Sequence, residues 1–230
     1  MTDEKINIAI DGPAAAGKST VAKLIAKHLS IVYIDTGAMY RAITYKALQQ
    51  HVDVNNESKM ATLLTESDIQ LDYDSSGQRI ILDGADVTEV IRKEDVSNAV
   101  SYVASHRMIR KKMVEQQRQL ANNISVVMDG RDIGTEVLPD AEIKIFLLAS
   151  VEERALRRHK ENIAKGYDSD LYQLMGDIRD RDERDANRKV SPLVQAEDAI
   201  LMDTTALTIN EVVDAILQKV KEYKQSHTCH

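Results

Sequence analysis

Gly12-Pro13-Ala14-Ala15-Ala16-Gly17-Lys18-Ser19-Thr20 is the stretch that decides the fold. Before it, Ile6-Asn7-Ile8-Ala9-Ile10-Asp11 is apolar or alternating for the length of a short strand; after it, Val21, Ala22, Leu24, Ile25 and Leu29 recur at helical spacing. Strand, loop and helix in that order give the G-x-x-x-x-G-K-S pattern the context it requires. The backbone N–H groups of such a loop surround a phosphate, and the positive end of the new helix reinforces them. Lys18 then reaches phosphoryl oxygens, and Ser19 can coordinate Mg²⁺. The loop predicts ATP or GTP binding; the competing reading is a structural turn with an incidental lysine.

Working outward, Ile31-Val32-Tyr33-Ile34-Asp35 reads as a second strand and Ala38–Gln50 as a helix through Met39, Ile43, Ala47 and Leu48. Ile69–Tyr73 and Arg79–Leu82 are strand-like runs joined by Asp74-Ser75-Ser76-Gly77-Gln78, a hairpin outside the main series. Helical periodicity over Ala99–Leu120 is expected to carry its arginines on an exposed side. Ser125–Asp129, Glu142–Ala149 and Ile200–Asp203 restore strands, and residues 208–223 fit a closing amphipathic helix. The order predicts a doubly wound α/β fold of the phosphate-loop type, with a five-stranded parallel sheet and two polar excursions.

The 230 residues, 43% hydrophobic and 29% charged, suit one globular domain of ordinary size with smaller excursions. Eight Tyr, one Phe and no Trp mean an aliphatic core. The net charge of −7 weakens any reading in which the protein coats nucleic-acid phosphates, yet it allows a small anionic ligand. Residues 61–95 alone sum to −6, so the acidity is local. Basic side chains concentrate as Arg107, Arg110, Lys111, Lys112 and Arg118, and again over 152–189, where acidic residues balance them; the bland reading is solvated helix faces. The lone Cys229 is given no role. The first residues lack the pattern of a secretion signal, which points to the cytoplasm, and no apolar run approaches the roughly 20 residues of a membrane-spanning helix.

A phosphate loop alone does not separate an ATPase, a switch, a motor and a kinase, so a second substrate site is needed. Asp35-Thr36-Gly37-Ala38-Met39-Tyr40-Arg41 follows the second strand and places a hydroxyl, an aromatic ring and a guanidinium at the ligand-facing edge of the sheet. Thr36 alternatively caps the helix, and Tyr40 closes its first turn. Asp129-Gly130-Arg131-Asp132 emerges from another strand end. Arg131 can neutralise a phosphate, while Asp129 and Asp132 can orient arginines, water, Mg²⁺ or a base amino group, or merely cap the following turn. Arg181, Arg184 and Arg188, spaced i, i+3, i+7, can share one helix face with Asp185 one turn after Arg181. Arg154, Arg157 and Arg158 form a second cationic group. Both are either salt-bridge networks or the charge-stabilising lid that phosphoryl transfer needs.

Together with Ile133-Gly134-Thr135, Asp182-Glu183, Ala186-Asn187 and Ser191-Pro192-Leu193, these residues resemble the bacterial cytidylate kinases over essentially the whole chain. The resemblance implies reversible transfer of the γ-phosphoryl of ATP to CMP or dCMP, giving ADP and CDP or dCDP, with Mg²⁺. It implies a core of residues 1–37, 101–151 and 190–230, a monophosphate-binding domain over 38–100 with a small antiparallel insert near 61–95, and an arginine-rich lid over 152–189. Gly12 to Thr20, with Arg157 and Arg158, would hold the donor, and Ser19 the metal. Thr36, Tyr40, Arg41, Arg110 and Arg131 would hold the acceptor, with Arg41, Arg110 and Arg131 around its α-phosphate and Arg188 joining from the lid. Arg181 and Asp185 would hold the sugar, Ser101 and Asp132 the base. Lys18, Arg131, Arg188 and Asp129 would carry the chemistry. Thr36 stands where the family often has Ser, which keeps the hydroxyl and adds a methyl.

Base choice has a physical account: the cytosine amino group donates to the Asp132 carboxylate, whereas uracil would oppose two acceptors there. The acceptor phosphate is already an oxygen nucleophile at neutral pH, so positioning and charge stabilisation suffice. Two alternatives stay open: a kinase with UMP or AMP as acceptor, and a nucleotide-controlled switch or nucleic-acid-binding protein. The expectation is a monomer with no stable nucleic-acid or membrane partner.

Overall fold

A computed structural model describes residues 5–74, 77–164 and 166–227; Cys229 lies outside them, as do Ser75 and Ser76 of the expected hairpin connection. The chain divides into two compact units, one of residues 1–33 and 123–230 and the other of residues 34–122.

The larger sheet has strands β1 (Asn7–Asp11), β2 (Val32–Asp35), β6 (Val126–Asp129), β7 (Ile143–Leu148) and β8 (Ile200–Asp203), in the order β2-β6-β1-β7-β8. The pairings β6 to β1, β1 to β7 and β7 to β8 are all parallel, with Ile10 opposite both Asp129 and Ile145. β1 and β6 are buried along their whole length, as expected of central strands covered on both faces. β8, at the edge, alternates half-buried and exposed residues. Helix α1 (Lys18–Leu29) turns Val21, Ala22, Ile25 and Ala26 into the core and stops at Ser30, whose left-handed backbone lets its N–H reach the carbonyls of the last turn. Helix α8 (Ile209–His227) contributes Val212, Val213, Ile216 and Val220 to the same aliphatic cluster. Helices α6 (Val151–Ala164) and α7 (Leu171–Ala186) carry the charged region.

The second unit packs α2 (Thr36–Gln49), α3 (Glu57–Thr65), α4 (Glu94–Val103) and α5 (Arg107–Leu120) around Met39, Ile43, Met60, Leu64, Val103 and Met113. A three-stranded antiparallel sheet of β3 (Ile69–Asp74), β4 (Gly77–Leu82) and β5 (Ala85–Asp86) lays Ile80 and Leu82 against Ala38 and Ala42 of α2.

Several local expectations differ from what the structure holds. The helix expected over 99–120 is two helices, α4 and α5, broken at residues 104–106. Arg110, expected on an exposed side, is 2% exposed. The cap of α2 is Asp35, whose carboxylate accepts the Ala38 N–H at 2.9 Å, and Thr36 is the first helical residue. Arg188 cannot share a helix face with Arg181 and Arg184, because α7 ends at Ala186. Residues 101–122, assigned from sequence to the core, cluster with residues 34–100.

Candidate active site

The phosphate loop begins where β1 ends. Gly12 has φ 144°, and a Cβ there would stand 2.2 Å from the Leu147 carbonyl oxygen, so only glycine lets the loop leave the sheet so close to β7. Gly17, at φ 86°, forms the turn into α1. Lys18 is buried, and its Nζ donates to the Pro13 carbonyl at 2.6 Å, across the loop it belongs to. Burial lowers its pKa well below the ordinary lysine value; the nearby Arg131 lowers it further, against the pull of Asp129 and Asp11. Ser19 Oγ donates to Asp129 Oδ2 at 2.8 Å, and Tyr33 donates its hydroxyl to Asp129 Oδ1 at 2.7 Å, so the carboxylate is held at the loop from two sides. Thr20 is exposed on α1.

Asp11 lies one residue ahead of the loop. Its two oxygens accept the N–H groups of Ile133 and Gly134 at 2.8 and 2.7 Å, which ties the loop's root to the segment that follows Asp132. Burial raises its pKa to about 6, although both N–H bonds pull it down. Asp132 itself is buried.

The charged helices meet the loop through residues outside the expected donor set. Arg154 is 4% exposed and donates from Nη1 to the Ala14 carbonyl at 3.0 Å and from Nε to the Ala149 carbonyl at 2.9 Å. The same Nη1 lies 2.7 Å from Asp182 Oδ2, and Asp182 Oδ1 accepts the Ala14 N–H at 3.4 Å. Arg157 donates to Glu153 at 2.8 Å and to the Thr204 carbonyl at 2.6 Å. Arg158 pairs with Glu161 at 3.7 Å. The sequence placed Arg154 in the right cluster but gave no sign that it, rather than its neighbours, grips the loop.

A second cluster forms around Asp185. Arg131 Nε donates to Asp185 Oδ2 at 2.9 Å, and Arg188, buried past the end of α7, donates from Nε to the Asp185 carbonyl at 3.2 Å. Burial pushes the Asp185 carboxyl up, but Arg131, Arg181 and Arg188 outweigh it and hold it below the usual carboxylate range. Arg131, Arg181, Asp185 and Arg188 are thus gathered in one place, and Arg131 also lies close enough to Lys18 to lower its pKa.

In the second unit, Thr36, Tyr40 and Ser101 are buried, and the Arg110 guanidinium lies 5.7 Å from the Tyr40 ring centre while donating to the Ala104 carbonyl at 3.1 Å. Arg41 Nη2 donates to Asp35 Oδ2 at 2.8 Å. Gly37 leaves room for that pair, since a Cβ there would stand 3.1 Å from Arg41 Nη1.

The pairing of Ser19 Oγ with the Asp129 carboxylate, both hard oxygen donors, suits Mg²⁺, which takes one or two protein oxygens and fills its shell from water and phosphate. Among the described residues no helix is long and apolar enough to cross a membrane.

A phosphate loop at the carboxyl edge of a parallel sheet, a buried lysine inside it and arginines gathered beside it define a phosphate-loop kinase of the α/β class. A crystal structure of an uncharacterized protein from Eubacterium ventriosum shares the fold, with a TM-score of 0.52 at 16% identity over 95% of this chain and 99% of that one. The family model for cytidylate kinase matches residues 8–222. Proteins named cytidylate kinase from Oceanobacillus iheyensis and Bacillus subtilis are 60% and 57% identical, each over 96% of this chain and over 96% and 98% of their own lengths. One from a Geobacillus strain is 61% identical over 94% of this chain and 97% of its own. The chain belongs to the cytidylate kinase family and is an enzyme, a phosphotransferase.

Proposed function

We infer that the protein transfers the γ-phosphoryl group of ATP to CMP and dCMP, releasing ADP and CDP or dCDP. The observation that carries this reading is a loop lysine buried beside Arg131 in a chain 57 to 61% identical to proteins named cytidylate kinase. The loop N–H groups and Lys18 bind the donor phosphates, with Arg157 and Arg158 on the donor side. Ser19 and Asp129 would hold Mg²⁺, which supplies neutralisation of charge on the phosphoryl oxygens when bound.

Thr36, Tyr40, Arg41, Ser101, Arg110, Arg131, Asp132, Arg181, Asp185 and Arg188 serve the acceptor. Arg41, Arg110, Arg131 and Arg188 neutralise the α-phosphate, Arg181 and Asp185 hold the sugar, and Ser101 and Asp132 read the base. The Arg131 pair with Asp185 keeps that guanidinium oriented, so that less order has to be imposed when the phosphate arrives. The attacking oxygen is anionic at neutral pH and needs no general base. Residues 152–189 act as a lid that excludes water, and the enzyme works as a cytoplasmic monomer.

Initial rates of ADP formation with CMP, dCMP, UMP and AMP test the reading. The highest kcat/KM is expected with CMP and dCMP; an equal or higher value with UMP or AMP would overturn it.

A further inference from the structure

The Asp35 carboxylate is buried and shared by two arginines. Its Oδ2 lies 2.8 Å from Arg41 Nη2 and 3.5 Å from Arg92 Nη2, while Oδ1 accepts the Ala38 N–H at 2.9 Å. Burial pushes the carboxyl up, but Arg41, Arg92 and the Ala38 N–H hold it below the usual range. The two arginines differ in freedom. Arg41 sits in the second turn of α2 with a side chain 17% exposed; Arg92 ends the 3₁₀ turn Val90–Arg92 with a side chain 41% exposed.

Arg92 belongs to the acidic insert, and so does a second contact with the same residue. The Asp35 N–H donates to Gln78 Oε1 on β4 at 2.8 Å. The insert is anchored to α2 by Ile80, Leu82, Val87 and Ile91 packed on Ala38 and Ala42, so both Arg92 and Gln78 are delivered to Asp35 by a fixed surface.

Arg41 is claimed by two anions. In the proposed function it binds the acceptor phosphate, yet here its Nη2 is committed to Asp35, and its Nε is buried with no hydrogen-bond partner. Were Arg41 to turn away with no other cation at hand, Asp35 would remain as a buried carboxylate lacking its closest counter-charge, an expensive state. Arg92 stands just beyond close pairing, on a side chain exposed enough to move inward.

We propose that Arg92 is a positioning residue of the acceptor side: it takes over the Asp35 carboxylate when Arg41 turns to the acceptor phosphate, so the insert sets how readily Arg41 is released. The proposal rests on transfer to a nucleoside monophosphate but not on which base that acceptor carries. It gives the insert a task in substrate binding in addition to its packing on α2. Asn at position 35 can still cap α2 through its side-chain oxygen, so Asp35→Asn removes the charge and keeps the helix start.

Steady-state kinetics on Arg92→Gln, Arg92→Lys, Asp35→Asn and the double variant Arg92→Gln/Asp35→Asn test it, using whichever of CMP, UMP and AMP the parent enzyme phosphorylates fastest. Arg92→Gln should raise KM for the acceptor by about five- to tenfold, the size of one ordinary net hydrogen bond, while KM for ATP stays put. Arg92→Lys should restore most of the loss. In the Asp35→Asn background, Arg92→Gln should change the acceptor KM by less than about twofold, because no carboxylate then competes for Arg41. A parental acceptor KM in Arg92→Gln, or the same rise with Asp or Asn at position 35, would overturn the proposal. A parent with no acceptor activity would instead overturn the functional reading on which it stands.

Discussion

Arg154 and Asp182 form an ion pair at 2.7 Å, and each partner also holds Ala14 of the phosphate loop, one through its carbonyl and the other through its N–H. The pair therefore links α6 and α7 to the backbone of the phosphate loop. Two side chains and one residue thus join both helices to the loop.

Replacing Arg154 by Ala leaves the Ala14 and Ala149 carbonyls without this donor and strips Asp182 of its partner. Removing one member of a buried pair costs about 3 to 5 kcal/mol, and the partial exposure of Asp182, 22% for its side chain, brings the expected loss to about 1 to 3 kcal/mol. Thermal unfolding should show a lowered Tm. The kcat/KM for ATP should fall by about 10- to 100-fold, because a loop displaced by a fraction of an ångström misaligns the donor. A variant with parental ATP kinetics would show that the link is structural only.

Lys18 should set an alkaline limit to activity below the pH at which an ordinary lysine titrates. Burial and Arg131 lower its pKa, so as pH rises the free enzyme loses the loop's positive charge early. The logarithm of kcat/KM for ATP, which reports groups of the free enzyme, should bend downward at that pH. Lys18→Arg, fixed in charge, should remove the bend even though it transfers poorly, and Lys18→Ala should lower kcat by about 10²- to 10³-fold. An unchanged alkaline limb in Lys18→Arg would assign the bend to another group.

The phosphate loop was legible because its chemistry is local: glycines at positive φ, a lysine and the first turn of a helix all fall within nine residues. The parallel strands were legible for a similar reason, since β1 and β6 are buried on both faces and read as apolar runs. What escaped depends on distant partners. The break between α4 and α5 carries neither glycine nor proline; the His106 ring lies 2.7 Å from the Val54 carbonyl, 52 residues away. Arg110 has the spacing of an exposed basic face, but it is buried where it meets the Tyr40 ring and the Ala104 carbonyl. Arg188 continues the i, i+3, i+7 series of α7, but the Leu193 N–H returns to the Asp185 carbonyl and Arg188 is held past the helix end. Arg154 could not be told from Arg157 and Arg158, because nothing in the spacing says which of them faces Ala14.

Asp11 predicts a stability term with a defined sign. Its pKa in the folded protein is raised to about 6 from 3.8, so between those values the native state binds more protons than the unfolded one. Stability contributed by this group is therefore present in full below about pH 4 and lost as pH rises through 6, by up to about 3 kcal/mol. Asp11→Asn removes the titration but leaves one side-chain oxygen for two N–H groups, so Ile133 or Gly134 goes unsatisfied. Urea unfolding of both proteins at pH 4.5 and pH 7 isolates the effect. The parent should gain stability relative to Asp11→Asn on going to the lower pH, and a difference that does not move with pH would place the proton elsewhere.

Asp132 is expected to decide between cytosine and uracil. It is buried, and Asp11 fixes the segment that follows it through the Ile133 and Gly134 N–H groups, so it has little freedom to turn away from a mismatched base. A cytosine amino group satisfies the carboxylate; a uracil carbonyl leaves two acceptors face to face with no water to separate them. Asp132→Ala should lower kcat/KM for CMP more than for UMP and so shrink the preference between them by about 10- to 100-fold. Asp132→Asn is the sharper test, because its amide can offer either a donor or an acceptor and should accept UMP better than the parent does. If both variants discriminate as strongly as the parent, base choice is made by other residues.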